Sequence, residues 1–504
     1  MSRKLVKLGL SILILTLAVS IHTAAAQEIT VALGTDVGSL DPRISFNVPG
    51  ESQLQTMYET LVGLDPNGRV LPKLAESWEM QENPPQIRFK LRRNVKFHNG
   101  EPFTAESVKY TLESFTAPDS KSPKKPFLAQ IAGVDVVDPY TAVVKMKSFN
   151  RDLLRTLSLF PVIMPAKASK ELGEKMATTI IGTGPYKFVE YRSGEKLVAT
   201  ANPDYWGKKP RIPKITFRVI PEHGTRLVAL ESGEAMMINN VPIDQIGRLA
   251  KSPNIDILSA PTARIVVVGL RMDRKPLDDV RVRHALNYAI NKEELIKMIL
   301  GGRAQIANSP LPPMCFGADP TMKPWPYDPA KAKELLAQAG YPNGFKLKFG
   351  TTVGRYLQDK QVAEAITGYL ERVGIKAELE TPEIATYISE TMKKDSKYDI
   401  FLFAWGYQTL DPNWGFGTLY HSRFATRTGY NNAKVDQLLD KGRQIADEQE
   451  VTRIYLEAQK IIWEDASMVW LYYQPDIIGV NKRFKGIERT HGNEIFVFNN
   501  TYLQ

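Results

Sequence analysis

Apolar and polar positions along the chain alternate between a strand-like and a helix-like period. In QIRFKLR, residues 86–92, apolar Ile87, Phe89 and Leu91 alternate with basic residues, which indicates a strand with one buried face. The same reasoning predicts strands at 28–34, 140–147, 186–191 and 196–201, the last two forming a hairpin around a Ser-Gly pair. Later apolar runs extend the strand series to the end of the chain.

The predicted helices between these strands carry clear start and stop signals. Asp328 precedes Pro329 at the first position of one helix, which stops at Gly340. Asn291 begins another, with Glu294 three residues on, as in a capping box. Amphipathic helices are predicted at 359–374 and 451–466. Strands and helices in this alternation predict an α/β chain with mixed sheets.

The first 26 residues have the pattern of an export signal. A basic start, MSRKLVK, precedes an apolar run, and Ala24 and Ala26 supply the small residues of a cleavage site before Gln27. The apolar run is shorter than the roughly 20 residues of a membrane span, and no Cys follows the predicted cut. We therefore predict a protein exported by a Sec-type signal, not lipid-anchored, and retained in the periplasm. At 504 residues the chain is long enough for two or three domains.

Composition and motifs argue against several classes of protein. Removing residues 1–26 takes away three basic residues and no acid, so the net charge falls from +10 to +7, and the remaining basic residues are scattered. Nucleic-acid binding requires a concentrated basic patch. Cys315 is the single cysteine, so no internal disulfide forms. No catalytic or nucleotide-binding motif occurs and the histidines are not closely spaced, so we predict no enzyme, no cofactor and no metal site.

Several ordered motifs resemble a known family. They are LAESWE, FKLRRNVKFHNGEPFTAESV, GTGPY, NPDYWGKKP, DDVRVRHALNYAI and an AWG…DP segment, in that order. Over residues 28–500 the chain resembles the extracytoplasmic solute-binding proteins of peptide-type ABC importers, the dipeptide-, oligopeptide- and nickel-binding group (solute-binding protein family 5). Ser107 stands where the family usually has Asp.

The resemblance implies an α/β fold of the periplasmic-binding-protein type II kind: two lobes with a hinge, and an extra subdomain in the first lobe. Lobe I would comprise residues 27–44, 182–262 and 472–504, with the subdomain inserted at 45–181. Lobe II would comprise residues 263–471. The chain crossings near 262 and 472 would form the hinge that closes the lobes around a ligand.

In this family the segment FLFAWGYQTLDPNWGFG, residues 401–417, faces the cleft. We therefore expect Trp405, Gly406, Tyr407 and Gln408 to form a pocket wall, whereas Trp414 and Phe416 fit a core position equally well. Peptide binders usually show W-x-x-D-x-x-(D/E)-P here, and the first Asp pairs with the ligand's α-ammonium. This chain has Gln408 at that position and keeps Asp411 as the second acid. Gln carries no charge, so a neutral polar ligand, a modified peptide or an opine-like compound fits this position, and Asp411 is a candidate ligand contact that could still serve an amine.

Other parts of the chain offer further candidate contacts. Arg355 follows a predicted strand where dipeptide binders hold an Arg for the ligand carboxylate, and a guanidinium fork suits that group. The loop at 35–50 places Ser45 and Asn47 as candidate polar contacts from lobe I. A solvent-facing Arg355 is an equally good interpretation of the sequence.

These features predict the substrate-binding protein of an ABC importer, a monomer that delivers a peptide or peptide-like solute to membrane permease subunits powered by a separate ATPase. A non-peptide solute, either an oligosaccharide or an opine-like compound, is the alternative within the same role. A secreted glycosidase-type enzyme is a remote alternative, because spaced carboxylates alone are weak evidence.

Overall fold

The computed structural model describes residues 28–45, 47–65, 68–490, 492 and 495–504. The predicted export signal lies outside these residues. Among the described residues, none of the helices combines the length and the apolar character needed to cross a bilayer.

The helices of the described chain are α1 (Val48–Met57), α2 (Ala105–Thr116), α3 (Leu153–Leu159), α4 (Ala166–Leu172), α5 (His223–Glu231), α6 (Ile243–Leu249), α7 (Val280–Ala289), α8 (Lys292–Ile299), α9 (Pro329–Gln338), α10 (Asp359–Glu371), α11 (Ile384–Met392), α12 (Pro412–Leu419), α13 (Ala433–Gln444) and α14 (Glu448–Glu464). Short 3-10 turns occur at Lys125–Leu128 and Gly173–Thr178.

The strands are β1 (Ile29–Leu33), β2 (Val62–Leu64), β3 (Val70–Pro72), β4 (Ala75–Gln81), β5 (Gln86–Leu91), β6 (Ile131–Asp138), β7 (Thr141–Met146), β8 (Tyr186–Arg192), β9 (Lys196–Ala201), β10 (Lys214–Val219), β11 (Met237–Ile238), β12 (Ile255–Leu270), β13 (Gln305–Ile306), β14 (Lys346–Gly350), β15 (Lys376–Glu380), β16 (Ile400–Gly406), β17 (Met468–Asn481), β18 (Phe484–Lys485), β19 (Glu488–Thr490), β20 (Ile495–Val497) and β21 (Tyr502–Leu503).

Two long antiparallel strands, β12 and β17, join the two halves of the largest sheet. Its order is β15-β14-β16-β12-β17-β11-β1-β10-β9-β8. The beginning of β12 pairs with the end of β17, which also pairs with β11. The end of β12 pairs with β16. We call the β11 side of the sheet, with the elements packed on it, lobe I, and the β16 side lobe II.

The register of β12 against β17 is interrupted between Pro261 and Ile265, where the pairing passes from one lobe to the other. Within this interruption the Thr262 hydroxyl donates to the carbonyl of Gln474. An interrupted ladder bends more readily than a continuous one. The predicted crossings near 262 and 472 lie at this place, and the domain boundaries stay a prediction.

Each lobe has its own hydrophobic core. Lobe I and the inserted residues share one cluster that includes Val31, Phe89, Leu157 and Phe498. In lobe II, successive residues of β12 face opposite sides of the sheet, as the pleat requires. Val266 and Val268 therefore enter one cluster, whereas Ile265 and Val267 enter another.

The local signals in the sequence predict most helix starts correctly. The Asp328 side chain caps α9 with Pro329 in its first turn, and the Asn291 side chain caps α8. The last helix, α14, begins three residues earlier than predicted, at Glu448, because the Asp447 side chain accepts a hydrogen bond from the Glu450 backbone.

Strand direction brings the loops of both lobes to one cleft. Because β12 runs from lobe I into lobe II and β1 and β10 run in the same direction, their carboxyl ends point toward lobe II. β16 runs against β12, and β14 is parallel to β16, so their carboxyl ends point back toward lobe I. Loops at the carboxyl ends of parallel strands are the common ligand-binding elements of open α/β sheets.

Candidate ligand-binding cleft

An aromatic cluster joins the lobes near the end of β16. The Trp414 ring, in lobe II, stacks on Phe127 of the inserted subdomain with centroids 4.3 Å apart and an interplanar angle of 17°. Phe160 lies 5.8 Å from the same indole. Half-buried Trp405 packs against this cluster. We call these four side chains the aromatic wall.

Trp405 offers an unused hydrogen-bond donor within this wall. Its indole nitrogen is buried and has no partner among the described residues. The Thr409 hydroxyl and the Asn413 amide nitrogen are buried and unpartnered in the same way. Buried polar groups normally find partners, so the indole N–H of Trp405 is a donor left over within the aromatic wall.

Tyr407 is placed in the lobe II core and not on the cleft surface expected from the sequence. Its side chain is fully buried, and the hydroxyl donates to the Pro310 carbonyl at 3.3 Å. Its ring meets Phe416 edge-on at 6.4 Å. Burial raises the pKa of the phenol well above its ordinary value. Tyr407 is the first residue after β16, and its side chain packs in the lobe II core, where it anchors the 401–417 segment.

The Gln408 side chain occupies the space beside the Gly406 backbone. A Cβ atom on Gly406 would lie 2.4 Å from the Gln408 amide nitrogen, so the glycine lets this side chain fold back over the end of β16. Gln408 is half-buried and supplies no charge. The end of β16 therefore presents a neutral amide where peptide binders carry an acid.

Asp411 is occupied by interactions within the protein. Its side chain is fully buried and caps α12 by accepting a hydrogen bond from the Asn413 backbone at 3.1 Å. The other carboxylate oxygen lies 3.2 Å from Arg151 Nη1 and 3.8 Å from Arg155 Nε. Both arginines lie within residues 45–181, the predicted insertion in lobe I. Asp411 thus links the two lobes, and its charge is already compensated.

Asp152 adds a second acid to this ionic cluster. Burial, and secondarily the charge of Asp411, raise its pKa to about 8, against the lowering effect of nearby arginines. Glu448 lies 3.8 Å from Arg151 Nη2 at the exposed edge of the cluster. The cluster therefore combines acids and bases from both lobes in a largely buried interface.

Arg355 lies in the loop between β14 and α10, and its loop is held in place by one buried carboxylate. Asp359 accepts hydrogen bonds from the backbone of Gly354, Arg355 and Tyr356 at 2.9–3.2 Å. The Arg355 side chain is exposed, and its Nε donates to the Tyr356 hydroxyl at 3.1 Å. Among the described residues, no carboxylate lies within ion-pair distance of this guanidinium.

A cavity of about 700 Å³ lies between the lobes and includes Arg355 in its lining. This volume is within the roughly 300–1,000 Å³ of small-molecule sites. Lobe I contributes polar groups from the loops after β10 and β11. Lobe II contributes the Arg355 loop and the apolar end of α8, and β17 closes the cavity at the hinge. The lining includes His223, Asn240, Pro242, Asp244, Met298, Ile299, Val353, Arg355, Gln474 and Pro475, and residues 401–417 are not among the lining residues.

Ser45 and Asn47 have local structural roles. The Ser45 hydroxyl is buried and donates to the Val37 carbonyl at 3.0 Å. The Asn47 side chain caps α1 by accepting from the Gly50 backbone at 2.7 Å. The hydrogen bonds of both side chains stay within lobe I, although Val48, next to Asn47, packs against the aromatic wall.

The sequence interpretation missed the lobe I partners of the cleft, which are Phe127, Phe160, Arg151 and Arg155. A usable signal was present for the arginines. They are four residues apart in RDLLR, a pair of basic residues flanking the start of an apolar helix, with Arg151 just before α3 and Arg155 within it. The phenylalanines sit in ordinary apolar runs and give no such signal.

Two further observations concern a metal site and a second cavity as alternatives to the interlobe cavity. The part of the chain that the structure describes holds no group of His, Cys, Asp and Glu side chains arranged to bind a metal ion. A second cavity, of about 570 Å³, is lined by residues of lobe II alone, among them Asp319 and Trp463. A solute bound there would not favour closure, because closure requires contacts to both lobes.

Known proteins show the same sequence pattern and the same fold. The family model described as bacterial extracellular solute-binding proteins, family 5 Middle, matches residues 69–426. The glutathione-binding protein GsiB of Salmonella choleraesuis (strain SC-B67) is 30% identical over 473 residues, covering 92% of each chain.

Solved structures agree with this result. The periplasmic binding protein DppA of Helicobacter pylori, in complex with the peptide STSA, is 28% identical with a TM-score of 0.83, covering 95% of this chain and 98% of that one. The periplasmic binding protein AgaA of A. tumefaciens R10, in complex with agropinic acid, is 25% identical with a TM-score of 0.81, covering 95% and 99%. The chain belongs to family 5 of the bacterial extracellular solute-binding proteins, and its function is the substrate-binding role in an importer.

Proposed function

We propose that this protein captures a peptide or peptide-like solute whose carboxylate is bound by Arg355 in the interlobe cavity. It is exported to the periplasm by its N-terminal signal and is not lipid-anchored. It acts as a monomer and delivers the solute to ABC permease subunits, and a separate ATPase supplies the energy.

The observation that carries this proposal is the unpaired guanidinium of Arg355 in the wall of an interlobe cavity. The Asp359 hydrogen bonds fix the backbone of its loop, so only the side chain of Arg355 has to become ordered when it meets a ligand. Arginine binds carboxylates through two parallel hydrogen bonds. A carboxylate there would offset the charge of Arg355.

The cleft lacks the acid that a free ammonium would require at the end of β16. Gln408 is neutral, and Asp411 is paired with Arg151 and Arg155. A buried ammonium without a paired anion is strongly unfavourable. The ligand is therefore one that needs no free α-ammonium at this position.

The ligands named for the related proteins share the carboxylate part of this chemistry, although glutathione and the peptide STSA also carry a free ammonium. Glutathione, the peptide STSA and agropinic acid all carry carboxylate groups. The apolar side chains of Met298, Ile299 and Val353 in the cavity wall suit the carbon skeleton of a peptide better than the hydroxyls of an oligosaccharide.

A second candidate ligand is an opine-like acid, favoured by the likeness to AgaA with its agropinic acid. It shares the carboxylate and, like a blocked peptide, makes no demand for an acid at position 408. Both candidates use Arg355 in the same way, so they differ in the remainder of the molecule.

The test is the identity of the solute that the protein retains. The mature chain is purified under native conditions, saturated with a periplasmic small-molecule extract, washed and denatured, and the released solutes are analysed by mass spectrometry. We expect peptide-like or opine-like carboxylic acids from the wild type and their loss from Arg355→Gln. Retention of uncharged sugars, or identical acids from both proteins, would contradict the proposal.

A further inference from the structure

A buried arginine contacts His223, one of the lobe I residues that line the interlobe cavity. Arg226, in α5, is 1% exposed. Its Nη1 donates to the carbonyls of Ile220 at 2.5 Å and Pro221 at 2.7 Å. Among the described residues no carboxylate forms an ion pair with it. Its second terminal nitrogen, Nη2, lies 2.8 Å from His223 Nδ1.

This contact determines which imidazole nitrogen carries the proton. A guanidinium can only donate hydrogen bonds, so Nδ1 of His223 must accept from Arg226. The Asn240 carbonyl lies 3.2 Å from the same nitrogen, but the guanidinium contact is shorter. The Asn240 carbonyl would need a hydrogen on Nδ1, so we assign the tautomer from the shorter Arg226 contact, with the hydrogen of the neutral ring on Nε2. Burial, followed by the charge of Arg226, lowers the pKa of His223, which agrees with a neutral ring.

His223 is exposed and lines the cavity from lobe I, whereas Arg355 lines it from lobe II. We propose that the Nε2–H of His223 donates to the same ligand carboxylate that Arg355 binds, so that one acidic group bridges the two lobes. This inference rests on the proposed function, since it deepens the role of the Arg355 site.

The bridge gives the carboxylate a direct effect on closure. A ligand favours the closed state only through contacts that the open state lacks. Arg355 alone can hold a carboxylate on lobe II of an open protein. The added hydrogen bond from His223 forms only when lobe I approaches, so the bound carboxylate stabilises the closed state.

The experiment uses two defined peptide pools as probes. Both contain the same N-acetylated tripeptide sequences, one with free C-terminal carboxylates and the other with C-terminal amides. Retention of each pool by the full mature chain is measured by equilibrium filtration and mass spectrometry. The proteins compared are wild type, His223→Ala, His223→Asn, His223→Gln and Arg355→Gln, each first checked for an unchanged melting temperature.

The variants at position 223 separate the donor from general packing. The amide nitrogen of Gln reaches the place of Nε2, whereas that of Asn reaches only the place of Nδ1. We expect His223→Ala and His223→Asn to lower affinity for the carboxylate pool about tenfold, as the loss of a hydrogen bond to a charged group does. His223→Gln should stay within about threefold of wild type, because it restores the donor.

The outcomes separate failure of the inference from failure of the proposed function. If Arg355→Gln no longer binds the carboxylate pool, but His223→Ala and His223→Asn bind it as well as wild type does, then His223 does not contact the carboxylate. The proposed Arg355 site is then still supported. If the affinity of His223→Gln for the carboxylate pool falls as far as that of His223→Ala, then His223 does not act as a hydrogen-bond donor to the carboxylate. If wild type binds the amide pool as well as the acid pool, or neither pool, the peptide assignment of the proposed function and the inference fail together.

Discussion

Arg151 of the inserted subdomain and Asp411 of lobe II form a buried ion pair, with Nη1 of the arginine 3.2 Å from the carboxylate. The two residues are 260 positions apart in the chain. Because Asp411 also caps α12, the pair connects the end of the β16 segment to the opposite lobe. It makes Asp411 a part of the interface between the lobes.

Asp411→Asn tests this role of Asp411. Asn caps helices as well as Asp does, so α12 should persist while Arg151 and Arg155 lose their partner. Removing one member of a buried pair typically costs about 3–5 kcal/mol, so we expect a clear loss of unfolding free energy and a more open cleft in small-angle scattering. Arg151→Gln should act in the same direction. A tenfold swing in preference from free-amine to N-acetylated peptides in Asp411→Asn would instead assign this acid to the ligand.

Gln408→Asp tests the neutral position at the end of β16. The new carboxylate would supply an anion beside Trp405, so preference should move toward peptides with a free α-ammonium. Competition between free and N-acetylated forms of the same peptides measures the shift. Unchanged affinity for both forms would show that position 408 does not contact the ligand.

Gly406→Ala tests the packing of the Gln408 side chain. The added methyl would lie within 2.4 Å of the amide nitrogen, so Gln408 must move and ligand affinity should fall. Gly368→Ala is the matched control. It lies within α10 with open space around its Cβ position, and should leave affinity unchanged while adding up to about 1 kcal/mol of helix stability. Equal affinities in the two variants would contradict the role of Gly406.

Asp152→Asn tests the acid in the ionic cluster. Because burial raises the pKa of Asp152 to about 8 in the folded protein, its favourable contribution is greatest below the ordinary value near 3.8 and is lost as pH rises toward 8. Asn does not titrate. The stability of Asp152→Asn relative to wild type should therefore increase between pH 5 and pH 8, with a slope of up to about 1.4 kcal/mol per pH unit. A difference that is constant across this range in denaturant unfolding would contradict the raised pKa.

Local chemistry explains which structural features were predictable from the sequence. The Asp328–Pro329 helix start and the alternation at 86–91 depend on neighbouring residues, and the structure contains both. The stacking of Phe127 on Trp414 depends on closure of the lobes, which no local pattern encodes. Side-chain direction at Tyr407 was equally hidden, because the alternation of β16 ends at Gly406.

The candidate site likewise combines features that the sequence predicts with features that only the folded structure shows. The resemblance to the family directed attention to the β16 segment and to Arg355, and the structure adds the surroundings of each residue. Whether Asp411 is available to a ligand depended on Arg151, which lies in a different lobe. The neutral tautomer of His223 depended on Arg226, three residues away on the same helix, but only the folded geometry shows that the two side chains touch.

Recognition of the ligand through its carboxylate is tested most directly by selection from one tripeptide library. The library is prepared in three forms: both termini free, N-acetylated, and C-amidated. The mature protein is incubated with the mixed forms, and the retained peptides are identified by mass spectrometry. We predict that N-acetylated peptides are retained as well as free ones and that amidated peptides are lost. Retention of amidated peptides with loss of acetylated ones would show that the ammonium, and not the carboxylate, is what the protein recognises.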